Sequence, residues 1–130
     1  EVNLSNEKNN GEAVLKLINS KLVDSVHDIS SGGLILALTE MAISSGYGLK
    51  IDKPAKLSNL TEYYFGEDQG RYLLEIEPKN LQNVLKILSK DNIYNEKVAT
   101  VQKDNLEILG ELKIHVDELY KINNTWYNCY

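Results

Sequence analysis

The stretch Val26-His27-Asp28-Ile29-Ser30-Ser31-Gly32-Gly33-Leu34 joins a short β-branched segment to a long apolar helix pattern. Upstream, residues 23–27 read as a strand. Downstream, Leu34, Ala37, Leu38, Met41, Ala42 and Ser45 recur at the i, i+3, i+4, i+7, i+8, i+11 spacing of an amphipathic helix. Gly46 supplies its stop. Between the two lie a histidine, an aspartate, two serines and two glycines, far more than an ordinary cap requires.

Elementary helix chemistry gives this junction two readings. The first turn of a helix leaves four backbone N–H groups without partners, and Ser30 or Ser31 can cap one of them. Gly32 and Gly33 carry no side chains, so a ligand can approach the backbone closely. The macrodipole adds about half a positive charge at that end, which suits a phosphate. Asp28 sits just after the strand, placed to hold a metal, a water or a ribose hydroxyl. The alternative is a capped strand-to-helix turn with His27 as a satisfied core histidine.

Working outward, residues 7–22 predict a helix with Val14, Leu15, Ile18 and Leu22 on one face, with Gly11 awkward in its early part. Residues 47–51 read as a strand, and 53–60 as a linker broken by Pro54. Residues 71–77 form a strand. Pro78 fits the first turn of a helix that runs to about Leu88, with Leu81, Val84, Leu85 and Leu88 on its face. Residues 96–102 and 105–109 are expected to form a hairpin across Lys103-Asp104-Asn105. A strand at 112–116 and a short helix at 117–122 follow. Helices and strands mix too irregularly for a doubly wound sheet, so the expected class is α+β, a mixed β-sheet packed with α-helices.

The chain has 130 residues, 42% hydrophobic and 25% charged, which bounds it to one globular domain spanning 1–130. A net charge of −5 argues against a nucleic-acid partner, which needs a basic face. It leaves small anionic ligands open, because helix N-termini and metal ions supply positive potential locally. The single Cys129 fits a reducing compartment. The apolar runs are far short of a membrane span, so no membrane partner is expected. The chain opens on Glu1, and a longer parent protein is expected.

A second stretch, Tyr64-Phe65-Gly66-Glu67-Asp68-Gln69-Gly70-Arg71, stands directly before a predicted strand. Glu67 or Asp68 could bind Mg²⁺, which takes one or two carboxylates together with substrate phosphates. The Gln69 amide offers donors and an acceptor. Arg71 could meet a phosphate bidentately. The competing reading is a solvated turn with Arg71 pairing across a strand. Elsewhere His115 reads as structural, Tyr63-Tyr64 as packing, and Trp126 as docking the C-terminal tail.

Taken together, "HDISSGGL" and "FGEDQGRYLLEI" resemble the C-terminal domain of the phosphoribosylformylglycinamidine synthases, and the resemblance spans nearly the whole chain. The first motif is shared with the wider aminoimidazole ribonucleotide synthetase-like superfamily; the second is more discriminating. The resemblance implies the C-terminal part of an ATP-dependent ligase of de novo purine biosynthesis. That ligase converts formylglycinamide ribonucleotide to formylglycinamidine ribonucleotide in the cytoplasm. Carried over by motif, Asp28 and Gly66 would touch ATP, Glu67 would bind Mg²⁺, and Gln69 would touch the ribonucleotide. The implied partners are an N-terminal ATP-binding half of the same enzyme and a glutaminase component that supplies ammonia. The family's catalytic histidine and most metal ligands belong to that other half, so the chain alone is expected to be inactive. Ser31 departs from the family's usual Asp, and its role is open. The alternatives are another member of the superfamily or a non-catalytic small-molecule-binding α+β module.

Overall fold

The computed structural model describes residues 3–54 and 59–125. Along the chain these form α1 (Leu4–Asn19), β1 (Ser25–Asp28), α2 (Gly33–Ser45), β2 (Gly48–Ile51), α3 (Leu60–Phe65) and β3 (Tyr72–Glu75), then α4 (Leu81–Lys90), β4 (Ala99–Gln102), β5 (Asn105–Ile108), β6 (Leu112–His115) and α5 (Val116–Thr125). They divide into two compact units, Glu1–Ala37 with Phe65–Glu96, and Leu38–Tyr64 with Lys97–Tyr130. The expected docking of Trp126 falls outside the described residues.

In the first unit, β1 and β3 form an antiparallel ribbon and α1 packs on α4. The core is Ala13, Leu17, Val84 and Leu88, with Leu22, Leu74, Ile76 and Ile93 packed around it. Both helices end in a residue with left-handed backbone, Lys21 (φ 53°) and Asn92 (φ 53°). The residue after each turns back onto the core: Leu22 N–H donates to Leu17 O at 3.2 Å and Ile93 N–H to Leu88 O at 2.8 Å.

Helix α1 differs from its expected form. It begins at Leu4, because the Asn3 side chain accepts from Asn6 N–H and caps it there. Its buried face is Ala13 and Leu17, while Leu15 and Ile18 are exposed. The face is chosen by tertiary contact: Glu7 and Asn10, on the same side as Leu17, lie against the chain at Gly70. On α4, likewise, Val84 and Leu88 are buried and Leu81 and Leu85 exposed, and Pro78 lies in a turn preceding the helix proper.

In the second unit the sheet order is β4-β2-β5-β6, with β2 parallel to β5 and antiparallel to β4. The sheet is mixed, as expected of the α+β class. Its apolar row of Leu49, Ile51, Leu106 and Ile108 is buried. His115 has the structural role expected of it, its Nδ1 accepting Asp117 N–H at 3.2 Å in the first turn of α5. Tyr63 and Tyr64 pack edge to face, with ring centroids 5.2 Å apart. Helix α3 was not anticipated; Asn59 caps it, its side chain accepting Glu62 N–H at 3.2 Å.

The expected hairpin is not formed. β4 and β5 exist as strands but do not pair, because β2 lies between them. The short connection passes over the start of β2 at Gly48. A Cβ there would sit 2.2 Å from Asn105 O and 2.5 Å from both Asn105 N and Lys103 O. A glycine inside a strand marks this kind of close backbone approach.

Two pairs of variants check this account by urea denaturation. Gly48→Ala should cost about 4 kcal/mol or more, because backbone would have to move. Gly110→Ala, at φ 78° with open space around it, should cost only about 1 kcal/mol. On α1, Leu17→Ala should cost about 2–5 kcal/mol, and Leu15→Ala less than about 0.5 kcal/mol. Equal losses at Leu15 and Leu17 would refute the assigned face.

Candidate functional site

The β1–β3 ribbon places the two motifs side by side. Asp28 at the end of β1 is registered against Tyr72 at the start of β3. Ile29 N–H donates to Arg71 O at 2.9 Å, which extends the pairing one step beyond the strands. The loop leaving β1 and the loop entering β3 therefore run together and line a cleft of about 310 Å³. Asp28, Ser30, Ser31, Glu67 and Gln69 are on its wall.

The turn into α2 closes with Gly33 N–H donating to Ser30 O at 3.0 Å. Gly32 has φ 77°, and a Cβ there would lie 2.6 Å from Leu36 Cδ2 and 2.8 Å from Leu36 Cβ. Glycine is therefore required for both conformation and space. Across the cleft, Gly32 N–H donates to Glu67 Oε1 at 2.7 Å. A charged acceptor on a helix-terminal N–H is among the stronger hydrogen bonds, and it joins the two motifs directly.

The second loop is held from two sides. Arg71 Nη2 donates to Gly66 O, and Nε donates to Asp68 O at 3.3 Å. Asn10 Nδ2, reaching from α1, donates to Gly70 O at 2.9 Å. Gly70 has φ 71°, and a Cβ there would come within 2.8 Å of Glu7 Cγ. The loop is thus wedged against α1.

Of the residues singled out from the sequence, Asp28, Glu67 and Gln69 come together on one cleft. Gly66 begins the same loop but is not on the cleft wall, and its carbonyl is bound by Arg71. Arg71 also lines the cleft, and it pairs with carbonyls of its own loop, not across a strand. His27 Nδ1–H donates to the Asp28 carbonyl at 2.6 Å, which orients the ring. Asn10 is the contributor that the sequence did not reveal, since it lies 60 residues from Gly70 and no local pattern marks it.

The cleft presents two carboxylates, those of Asp28 and Glu67. One oxygen of Glu67 accepts Gly32 N–H. Among the described residues no group of three or more His, Cys, Asp or Glu could hold a metal ion. The donor set therefore fits Mg²⁺ only in the mode that takes one or two protein carboxylates and completes its shell with phosphates and water.

Known proteins share this arrangement of chain. The chain is 45% identical, over its whole length, to the phosphoribosylformylglycinamidine synthase subunit PurL of Pelagibacter ubique, of which it spans 18%. It superimposes on T. maritima PurL complexed with FGAR at a TM-score of 0.74, with 22% identity over 88% of this chain and 21% of that one. T. maritima PurL complexed with ATP gives a TM-score of 0.72 at 21% identity, over 87% of this chain and 21% of that one. No helix among the described residues is long and apolar enough to cross a membrane. The family described as AIR synthase related protein, C-terminal domain, matches residues 1–110, and the chain belongs to it.

Proposed function

We propose that this chain is the C-terminal domain of a longer ATP-dependent phosphoribosylformylglycinamidine synthase, and that its cleft contributes nucleotide, Mg²⁺ and ribonucleotide contacts. The observation that carries the reading is the meeting of Asp28, Glu67 and Gln69 on one cleft, linked by the Gly32–Glu67 hydrogen bond. Further support is the 45% identity to a named PurL subunit and the likeness in fold to PurL chains complexed with FGAR and with ATP. The remaining partners are an N-terminal ATP-binding half and a glutaminase that supplies ammonia, in the cytoplasm.

In this reading ATP phosphorylates the amide oxygen of formylglycinamide ribonucleotide, and ammonia then displaces phosphate to give the amidine. Mg²⁺, when bound, neutralises charge on the transferred phosphoryl group. Each residue of this chain has its own task. Asp28 meets the nucleotide from the end of β1. Gly66, off the cleft wall and with its carbonyl held by Arg71, would meet the nucleotide from the start of the same loop. Glu67 presents its second carboxylate oxygen to the metal. Gln69 binds the ribonucleotide through its amide. Ser31 lies on the same wall without adding charge there.

Three kinetic outcomes in the parent enzyme test the assignment. Asp28→Ala should weaken ATP use by about 1–3 kcal/mol, the worth of a charge-assisted hydrogen bond; its exposure leaves the fold intact. Glu67→Gln should lower kcat and move the Mg²⁺ dependence upward, since charge develops in the transition state. Gln69→Ala should raise KM for the ribonucleotide and leave the Mg²⁺ curve alone, as loss of uniform binding does. Asp68, 84% exposed at its side chain, is the control. If Asp68→Asn shifts the Mg²⁺ curve and Glu67→Gln does not, the assignment within the loop is wrong.

A further inference from the structure

We propose that Arg71 is a positioning residue that acts through Glu67: its guanidinium clamps the backbone on both sides of Glu67 and so aims that carboxylate across the cleft. The two carbonyls that Arg71 binds belong to Gly66 and Asp68, the immediate neighbours of Glu67. The Asp68 carboxylate also lies 3.8 Å from Arg71 Nη2, and the arginine side chain is only 33% exposed. A planar fork with donors at fixed spacing can bridge two carbonyls; a single ammonium cannot reproduce that geometry.

The consequence follows from peptide planarity. Holding the Gly66 carbonyl fixes the plane of the Gly66–Glu67 peptide, and holding the Asp68 carbonyl fixes the plane leaving that residue. With the peptide before Glu67 and the peptide after Asp68 both held, Glu67 lies in a restrained segment from which its Oε1 reaches Gly32 N–H at 2.7 Å. Arg71 gives two of its five N–H donors to the loop. Asn10 holds the far end of the same loop at Gly70, so the segment is anchored at both ends. The positional part of this proposal stands on the structure alone; its effect on Mg²⁺ rests on the reading of Glu67 given above.

The test has two arms. In the first, the Gly32 amide of the ¹⁵N-labelled 130-residue chain is followed by NMR. Glu67→Gln should move its proton upfield, because a neutral acceptor replaces a charged one. Arg71→Lys should reproduce that shift while the Gly48 and Gly110 amides stay in place. An unchanged Gly32 amide in folded Arg71→Lys would overturn the proposal. Should Arg71→Lys fail to fold, the unaltered chain decides: the Arg71 Nε proton should exchange slowly with solvent, and fast exchange would overturn the clamp.

In the second arm, Arg71→Lys in the parent enzyme should raise the Mg²⁺ half-saturation concentration on the order of 10-fold, as loss of an outer partner of a metal ligand does. The double variant with Glu67→Gln should be no worse than Glu67→Gln alone. Additive effects, or a raised KM for ATP that persists in the Glu67→Gln background, would mean that Arg71 meets the ligand directly and would overturn the proposal. A moved Gly32 amide with a Mg²⁺ curve that neither variant shifts would support the clamp and sink the metal role of Glu67.

Discussion

The antiparallel pairing of β1 with β3, from Ser25↔Glu75 to Asp28↔Tyr72, is the constraint on which the site depends. These strands are about 45 residues apart in sequence, and nothing but their register brings the two polar loops together. A slip by one residue would exchange the faces of both strands and send Leu73, buried in the structure, to the opposite side. Register is held by apolar burial on one side and by α1, whose Glu7 and Asn10 abut the loop at Gly70. Helix α1 therefore supports the loop that lines the candidate cleft.

Within the site, charge and backbone do complementary work. The start of α2 offers N–H groups with a partial positive charge, and Glu67 brings a carboxylate to one of them. Arg71, whose charge could have dominated the cleft, is turned onto loop carbonyls. The wall carries Asp28, Glu67 and Gln69, with Arg71 beside them. The chain belongs to the family of AIR synthase related C-terminal domains and spans 18% of a longer relative.

Glycines set the backbone at the critical positions. Gly32 is needed because its positive φ and the nearness of Leu36 both exclude a side chain. Gly48 is needed for a different reason, since the connection between β4 and β5 runs over it at a distance that only a hydrogen atom tolerates. That crossing makes the sheet mixed: β2 can lie between two strands that follow one another in the chain only if the short connection clears its first residue.

Much of this was legible before any coordinates. The 3.6-residue period of α2, its stop at Gly46, the strand character of β1 to β6 and the polar composition of both motifs are properties of local sequence, because a helix or a half-buried strand repeats its pattern over a few neighbours. The residues at the candidate site were named from those motifs. What local sequence left undecided was every choice that depends on a distant neighbour. Leu15 and Leu17 are both leucines on the same helix, and only the position of α4 and of the Gly70 loop decided which one was buried. β4 and β5 carry the signature of a hairpin, and only the arrival of β2 separated them. Arg71 could have paired across a strand, and the fold instead placed the carbonyls of Gly66 and Asp68 within its reach. The sequence by itself determined the elements and the chemical inventory; tertiary structure decided the pairings, because a strand edge, an apolar face or a guanidinium accepts more than one partner until the rest of the chain supplies one.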